Sequence, residues 1–436
     1  MKVAVVGLGT AGPAAALLLA RDGHDVQVIE RVSRPSGVGA GILLQGVGQA
    51  VLADLGLLDD LRRQSTPVRR IDARTQRGRR VLDFGYDDIG IEPHGLGVHR
   101  GVLFDLLAAA VRAEGIPVST GCEVSDLASS TDGWRLTTPE GDLGPFDLVI
   151  GADGSRSAIR QRLGLASKDR EYGFGGIWSV VPDPDHLAGD VLHQRYDGPR
   201  ITLGVLPTGT DQASLFWSCP TPLLGAMVEA GPAAWIDAAR PYAGHLTELV
   251  ERAATVGILE ARYRDVVVRS PYTVAGRYGS VLIGDAAHAM SPQIGLGASL
   301  ALADARSLAA AMRVNPHDLP RALEQHARAR AAPVRYYTWC SRLMTPVFQS
   351  NLVPLGWARD AFLGPIGRIP WVRRQFVTTL MGIRTSPWTM WRPDGHPVPK
   401  MDPNRETRPS VRPALLHDRG DDDALRVSGG HDPGGD

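Results

Sequence analysis

The sequence predicts an α/β fold, on three observations. A glycine-rich turn, Gly7-Leu8-Gly9-Thr10-Ala11-Gly12, follows a short apolar run at the N-terminus. A second one, Gly284-Asp285 continuing to Gly295-Leu296-Gly297-Ala298, follows another apolar run far downstream. Between them the texture changes to short alternating segments separated by Pro, Gly and Asp, as an antiparallel sheet requires. Together these imply a Rossmann-type domain in two pieces, 1–165 and 276–330, interrupted by an antiparallel-sheet domain at 166–275. A helical region at 331–384 follows, and the Pro-, Gly-, Asp- and Arg-rich stretch 385–436 reads as a disordered tail.

Lys2 to Val6 is a valine-rich run suited to a buried parallel strand. The G-x-G-x-x-G turn then opens an apolar helix, Pro13 to Ala20, and Asp25 to Ile29 is a second strand ending in Glu30. Gly7 permits the tight turn, Gly9 lets backbone approach a pyrophosphate, and Gly12 lets helix and strand pack closely. The helix start, with Thr10 and Ala11, offers free N–H groups and partial positive charge to the phosphates. Glu30 is placed to accept from an adenosine ribose. This half reads as a dinucleotide site without separating NAD from FAD.

Gly41 to Leu58 and Gly101 to Glu114 have helical apolar spacing, and Asp147 to Ile150 is a further strand, followed by Asp153-Gly154. In the insert, Ile201 to Val205 and Ala213 to Trp217 alternate as strands, with a helical patch near 221–254. Val281 to Ile283 returns to a buried strand, Ser299 to Met312 is an alanine-rich helix, and 317–383 is mostly helical, punctuated by prolines.

Composition narrows the classes. The 436 residues carry 47 basic and 47 acidic side chains, a balance that argues against a nucleic-acid binder. Cys122, Cys219 and Cys340 are scattered, form no C-x-x-C or zinc spacing, and suit small buried apolar positions in a reducing cytosol; no metal site is expected. No secretory signal is visible, and no run approaches the ~20 apolar residues of a membrane span. A cytoplasmic protein is expected, as monomer or homodimer.

The fingerprint with Glu30-Arg31, then Asp153-Gly154, then Gly284-Asp285 resembles, in order and spacing, the FAD-dependent class A aromatic hydroxylases, the p-hydroxybenzoate hydroxylase-like flavoprotein monooxygenases. The likeness covers roughly residues 1–330. It implies FAD held by both ends of one domain. Arg31 would lie beside Glu30 at the adenosine end, with the backbone of Val124 at the adenine. Gly41 would join the cofactor set, and Arg100 of His99-Arg100 would reach the ribityl and phosphate region. Asp285 would bind a ribityl hydroxyl, and Pro292, Gly295, Gly297 and Ala298 would line the isoalloxazine. Asp153 and Gly154 would serve both FAD and a transient NADH or NADPH. Two departures stand out: Leu296 where the family often has Gln, and Ser299 where it often has Asn. A backbone role survives both, whereas a side-chain contact is lost.

The activity implied is hydroxylation of an aromatic or other electron-rich small molecule with NAD(P)H and O2, through a flavin C4a-hydroperoxide. The flavin carries the chemistry, so no catalytic side chain is assigned. The pocket is expected on the inserted sheet, from Trp178, Arg195, Tyr196, Phe216 and Trp217, although alternation turns Phe216 and Trp217 to opposite faces. Aromatics at 333–383 read as helices covering the FAD-binding domain, with a lid over an apolar substrate or a membrane-surface face as sharper options. A flavin halogenase would need a catalytic lysine, and none lies between residues 3 and 167. A reductase or dehydrogenase of the same fold, and a flavin-binding redox protein without turnover, remain as alternatives.

Overall fold

The computed structural model describes residues 1–37, 39–89 and 94–387. Two sheets organise them. The first has six strands in the order Tyr272–Ala275, Tyr278–Leu282, Leu148–Gly151, Lys2–Val6, Asp25–Glu30, Val118–Thr120. All its pairings are parallel except that between the first two strands. Val3, Ala4 and Val5 are fully buried, as a sheet covered on both faces demands. One face packs on helices Ala11–Arg21, Arg100–Ala113 and Gly297–Val314 through Leu17, Leu103 and Leu302. The other meets a three-stranded antiparallel meander, 126–146, through Trp134, Leu136 and Phe146.

The second sheet has seven strands, ordered Leu259–Val268, Ala166–Pro182, Gln212–Pro220, Ile201–Pro207, Val191–Asp197, Arg70–Thr75, Arg80–Gly85. It is antiparallel except where Val191–Asp197 runs parallel to Arg70–Thr75. Its last two strands thus come from the first 165 residues, not from the insert. A second difference is local: Gly41–Leu44 is a strand, and the helix begins only at Gly46. A continuous apolar run does not distinguish a short buried strand from a helix. That strand pairs with Gly95–His99 in a small sheet wedged between the two large ones.

Period-two alternation divides the second sheet. Leu203, Val205, Leu215, Trp217 and Cys219 pack under helices Thr221–Ala230, Pro232–Ala243 and Thr247–Arg252. The opposite side, with Ser214, Phe216 and Ser218, faces the first domain: Ser214 Oγ accepts from the Gly41 amide at 2.9 Å. Helix Leu319–Phe348 runs from the first sheet to the second, and helices Val353–Gly367 and Pro370–Leu380 follow it. Phe84 stacks on Phe376 and Tyr196 packs at a tilt on Phe348, which fastens this region to the outer strands. No helix among the described residues is long and apolar enough to cross a membrane.

Candidate active site

Strands Lys2–Val6, Leu148–Gly151 and Tyr278–Leu282 are parallel neighbours, so the three glycine-bearing loops leave the sheet side by side at its carboxyl edge. This is where an open α/β sheet offers a crevice for a ligand. Gly7 has φ +111°, and a Cβ there would sit 2.4 Å from the Ala152 carbonyl oxygen, so the first turn packs directly under the Asp153 loop. At Gly12 a Cβ would stand 1.9 Å from the Gly7 oxygen, which makes it a packing glycine. A Cβ at Gly9 would meet nothing within 4 Å. Helix Ala11–Arg21 starts with no side-chain cap bond from Thr10 and no acid in its first turn, leaving its amides for an external anion.

Glu30 takes the amides of Leu8 (2.8 Å) and Val32 (2.9 Å), one on each oxygen, which fixes the carboxylate beside the turn with lone pairs to spare. Arg31 is exposed next to it. Val124 is buried in the loop after Val118–Thr120, where the Cys122 amide donates to the Glu30 carbonyl. Arg100 is exposed at the head of helix Arg100–Ala113, its amide donating to the Ala40 carbonyl. Asp153 Oδ2 accepts from the amides of Ala158 (2.7 Å) and Ile159 (3.2 Å), while Oδ1 is buried and has no partner among the described residues. Beside it a Cβ at Gly154 would enter open space.

The third loop has the same character. Asp285 is exposed, and its Oδ1 lies 3.9 Å from where a Gly297 Cβ would be. Pro292, Gly295 and Gly297 are exposed and Ala298 half-buried, whereas Ile294 and Leu296 are buried. The loop therefore turns its small residues outward and anchors itself with its large ones. Helix Gly297–Val314 starts without a side-chain cap and without an acid in its first turn. Leu296 and Ser299, the two departures, serve packing: Leu296 is in the core, and Ser299 Oγ accepts from the Gln45 amide at 3.0 Å. Two uncapped helix starts, open glycines on all three loops and a carboxylate at the mouth fit FAD, a long ligand with a pyrophosphate and a polyol. Removing the Asp285 carboxylate is expected to weaken FAD retention by about 10–100-fold, the worth of a hydrogen bond to a charged group. The Asp285→Ala protein, titrated with FAD and followed by flavin fluorescence, checks this, and unchanged affinity rejects the role.

Gly41 is a correction. It is buried, its amide is taken by Ser214, and a Cβ would press on Thr208 and Ser214, so it serves contact between sheets. Among the expected pocket residues, Trp178 and Phe216 come together, with ring centroids 5.0 Å apart on the side facing the first domain. Trp178 Nε1 donates to Tyr263 Oη at 3.1 Å. Burial pushes the Tyr263 phenol up to about 12, so it stays protonated at neutral pH. Trp217 and Arg195 are corrections, because alternation turns both to the helix-covered side. Trp217 is 2 % exposed against Tyr242, and Arg195 pairs with Asp72 at 3.2 Å. Tyr196 lies on the same side as Phe216 but is core, buried between Phe348 and the guanidinium of Arg359.

Two buried charges escaped the sequence reading. Arg160 bonds the carbonyls of Ala286 (2.9 Å) and Ser155 (2.7 Å) and Asp169 Oδ2 (2.6 Å), joining two of the three loops to the second sheet. Asp304 bonds the Gly284 amide (2.8 Å), His288 Nε2 (2.6 Å) and Arg330 Nε (2.6 Å). The available signal was a lone acid among the apolar positions of an alanine-rich helix.

Comparison with known proteins agrees with this geometry. Residues 1–332 match the model of the FAD binding domain family. A 3-amino-4-hydroxybenzoate 2-monooxygenase of Streptomyces cremeus is 29 % identical over 368 residues, covering 76 % of this chain and 86 % of that enzyme. A 6-hydroxynicotinate 3-monooxygenase of Bordetella bronchiseptica is 28 % identical over 325 residues, covering 70 % of this chain and 81 % of that one. The crystal structure of Klebsiella pneumoniae HpxO complexed with FAD and uric acid superposes with a TM-score of 0.74 at 25 % identity, over 88 % of this chain and 97 % of that one. The glycine loops and these relatives lead to one assignment: the chain belongs to the FAD binding domain family, among the class A FAD-dependent aromatic hydroxylases.

Proposed function

We propose that the protein uses NADH or NADPH and O2 to hydroxylate a small aromatic substrate. The observation that supports this most is the meeting of three glycine-bearing loops on adjacent strand ends, together with a second sheet that pairs Trp178 and Phe216 on one side. Bound FAD supplies the electron transfer and oxygen activation. The residues proposed to hold it are Gly9, Thr10, Ala11, Glu30, Arg31, Arg100, Val124, Asp153, Gly154, Asp285, Pro292, Gly295, Gly297 and Ala298. Gly7 and Gly12 shape the turn. The uncapped start of helix Gly297–Val314 stabilises negative charge on a group seated against it.

The substrate side does its work by position and by water exclusion. In strands Ile201–Pro207 and Gln212–Pro220 the positions facing the first domain are Thr202, Gly204, Leu206, Ser214, Phe216 and Ser218, none of them an acid or base near neutral pH. Nearby arginines are engaged: Arg342 bonds Asp265 and Arg359 bonds Asp360. Trp178 and Phe216, already in contact with each other, offer ring faces on which an aromatic substrate would stack, and Tyr263 fixes Trp178 by accepting from its Nε1. This favours a neutral aromatic substrate over one held by an ion pair.

The test is a screen of aromatic compounds for those that accelerate NAD(P)H oxidation, followed by turnover under ¹⁸O₂. One labelled oxygen atom in the product is expected. An unlabelled product, or nicotinamide oxidation without O2 consumption, overturns hydroxylation in favour of a reductase or dehydrogenase.

A further inference from the structure

Sixteen large apolar side chains are exposed among the described residues, and ten of them lie between Trp339 and Trp371. All four exposed aromatics, Trp339, Trp357, Phe362 and Trp371, are in this group. The concentration is far from the scatter of single apolar residues that an ordinary surface shows. Helix Val353–Gly367 carries it furthest. Its inner side is fastened to the protein: a Cβ at Gly356 would strike Pro199, one at Gly364 would strike the Arg80 carbonyl, and Arg359 lies over Tyr196 and Phe348. Its outer side presents Trp357 (67 % exposed) and Phe362 (64 %) with Ala358, Pro365 and Ile366, and not one charge. A surface helix of a soluble domain reads the other way round.

The helices that carry this face hold charge of nearly one sign, although three of their arginines are paired: Arg342 with Asp265, Arg359 with Asp360 and Arg373 with Asp88. Residues 331–387 hold seven arginines and a single acid, Asp360, in a chain that is neutral as a whole. Asp360 is bound to Arg359. Arg335 lies one turn from Trp339, Arg368 adjoins Ile369, and both are exposed with no carboxylate partner among the described residues. We propose that this face docks on the surface of an anionic lipid bilayer. The tryptophans would sit at headgroup level, the apolar side chains just beneath, and Arg335 and Arg368 against lipid phosphates. The alternative occupant, a second copy of the chain, fits less well. A two-fold interface would bring exposed Arg335 and Arg368 toward their own copies, and the one acid of these helices, Asp360, is already held by Arg359. Docking on a bilayer is independent of which substrate the enzyme takes.

The test is co-sedimentation of the full-length, FAD-loaded protein with vesicles of phosphatidylcholine alone and of phosphatidylcholine with about a third phosphatidylglycerol. Binding at least about ten-fold stronger to the anionic vesicles, and weakening as salt rises, is expected. Trp357→Glu combined with Phe362→Glu should lower vesicle binding by at least about ten-fold. Flavin content and basal NAD(P)H oxidation should not change, because both side chains point away from the fold. Failure to sediment with either vesicle, or equal binding by the double variant, overturns the proposal. So does a dimer seen by light scattering that the double variant dissolves, which would assign the face to a second copy.

Discussion

Replacing Asp304 by asparagine is expected to destabilise the protein by about 3–5 kcal/mol and to loosen FAD, although Asp304 lies beneath the cofactor loops rather than among them. Three donors converge on this fully buried carboxylate: the Gly284 amide, His288 and Arg330. An asparagine NH₂ would have to face one of them, leaving a buried donor unpaired and the charge of Arg330 without its partner. The Gly284 amide stands at the head of the loop that presents Asp285, so the loop loses its anchor. The pH dependence gives the effect a signature. Burial alone would lower the pKa of His288, yet Asp304 raises it above the ordinary histidine value. Burial works against ionised Asp304, yet His288 and Arg330 hold it well below the usual carboxylate range. The His288 contribution is therefore fully present below its unfolded value of about 6.5 and is lost as pH rises through its raised folded value. The Asp304 contribution is present above about pH 4 and lost only in stronger acid. Burial drives nearby His326 down to about 4, so its contribution has the opposite slope, lost as pH falls below about 6.5; Asp304 partly opposes that shift, so its removal cannot narrow the gap on the acid side. Thermal unfolding across pH 5 to 8 should show a gap between wild type and Asp304→Asn that is widest on the acid side and narrows toward alkaline pH. A gap independent of pH rejects the His288–Asp304 pair as its source, and full flavin content after gel filtration rejects the anchoring role.

What was legible in the sequence used local signals. The turns at Gly7 to Gly12 and Gly284 to Gly297 each join a strand to a helix within a few residues, so spacing alone carries the geometry. The strands Arg70–Thr75 and Arg80–Gly85 were missed because what makes them part of the second sheet is a parallel pairing with Val191–Asp197, far along the chain, that nothing local marks. Alternation separated Phe216 from Trp217, and the structure has them on opposite sides. It could not say which side meets the flavin loops, because that is decided by where helices 221–252 pack. Arg195 failed for the same reason: it was expected in the pocket, and only the fold shows it on the helix-covered side against Asp72. Arg160 and Asp304 are hardest of all. Asp304 is one acid in an alanine-rich helix and Arg160 one of three arginines in a short polar segment, and the meaning of each lies in loops that only the fold brings near.

The glycines of the first turn divide into two kinds, and two substitutions should tell them apart. Gly12→Ala places a methyl carbon 1.9 Å from the Gly7 carbonyl oxygen, a backbone atom that cannot move aside without shifting strand against helix. It is expected to cost at least about 3 kcal/mol, near the upper end for overpacking, and to abolish FAD binding because the turn itself is displaced. Gly9→Ala has nothing within 4 Å to strike and needs no positive φ, so the apo-protein should be as stable as wild type or slightly more so, by about 0.4–1 kcal/mol through the unfolded chain. Its methyl fills the space through which backbone approaches a pyrophosphate, and FAD affinity should fall by at least about 100-fold. Denaturant unfolding of the apo-proteins and FAD titration of each variant separate the outcomes. If Gly9→Ala binds FAD normally, the pyrophosphate does not lie against this turn. If instead Gly9→Ala loses stability in step with Gly12→Ala, the open space at Gly9 belongs to the packing of the fold and not to the ligand.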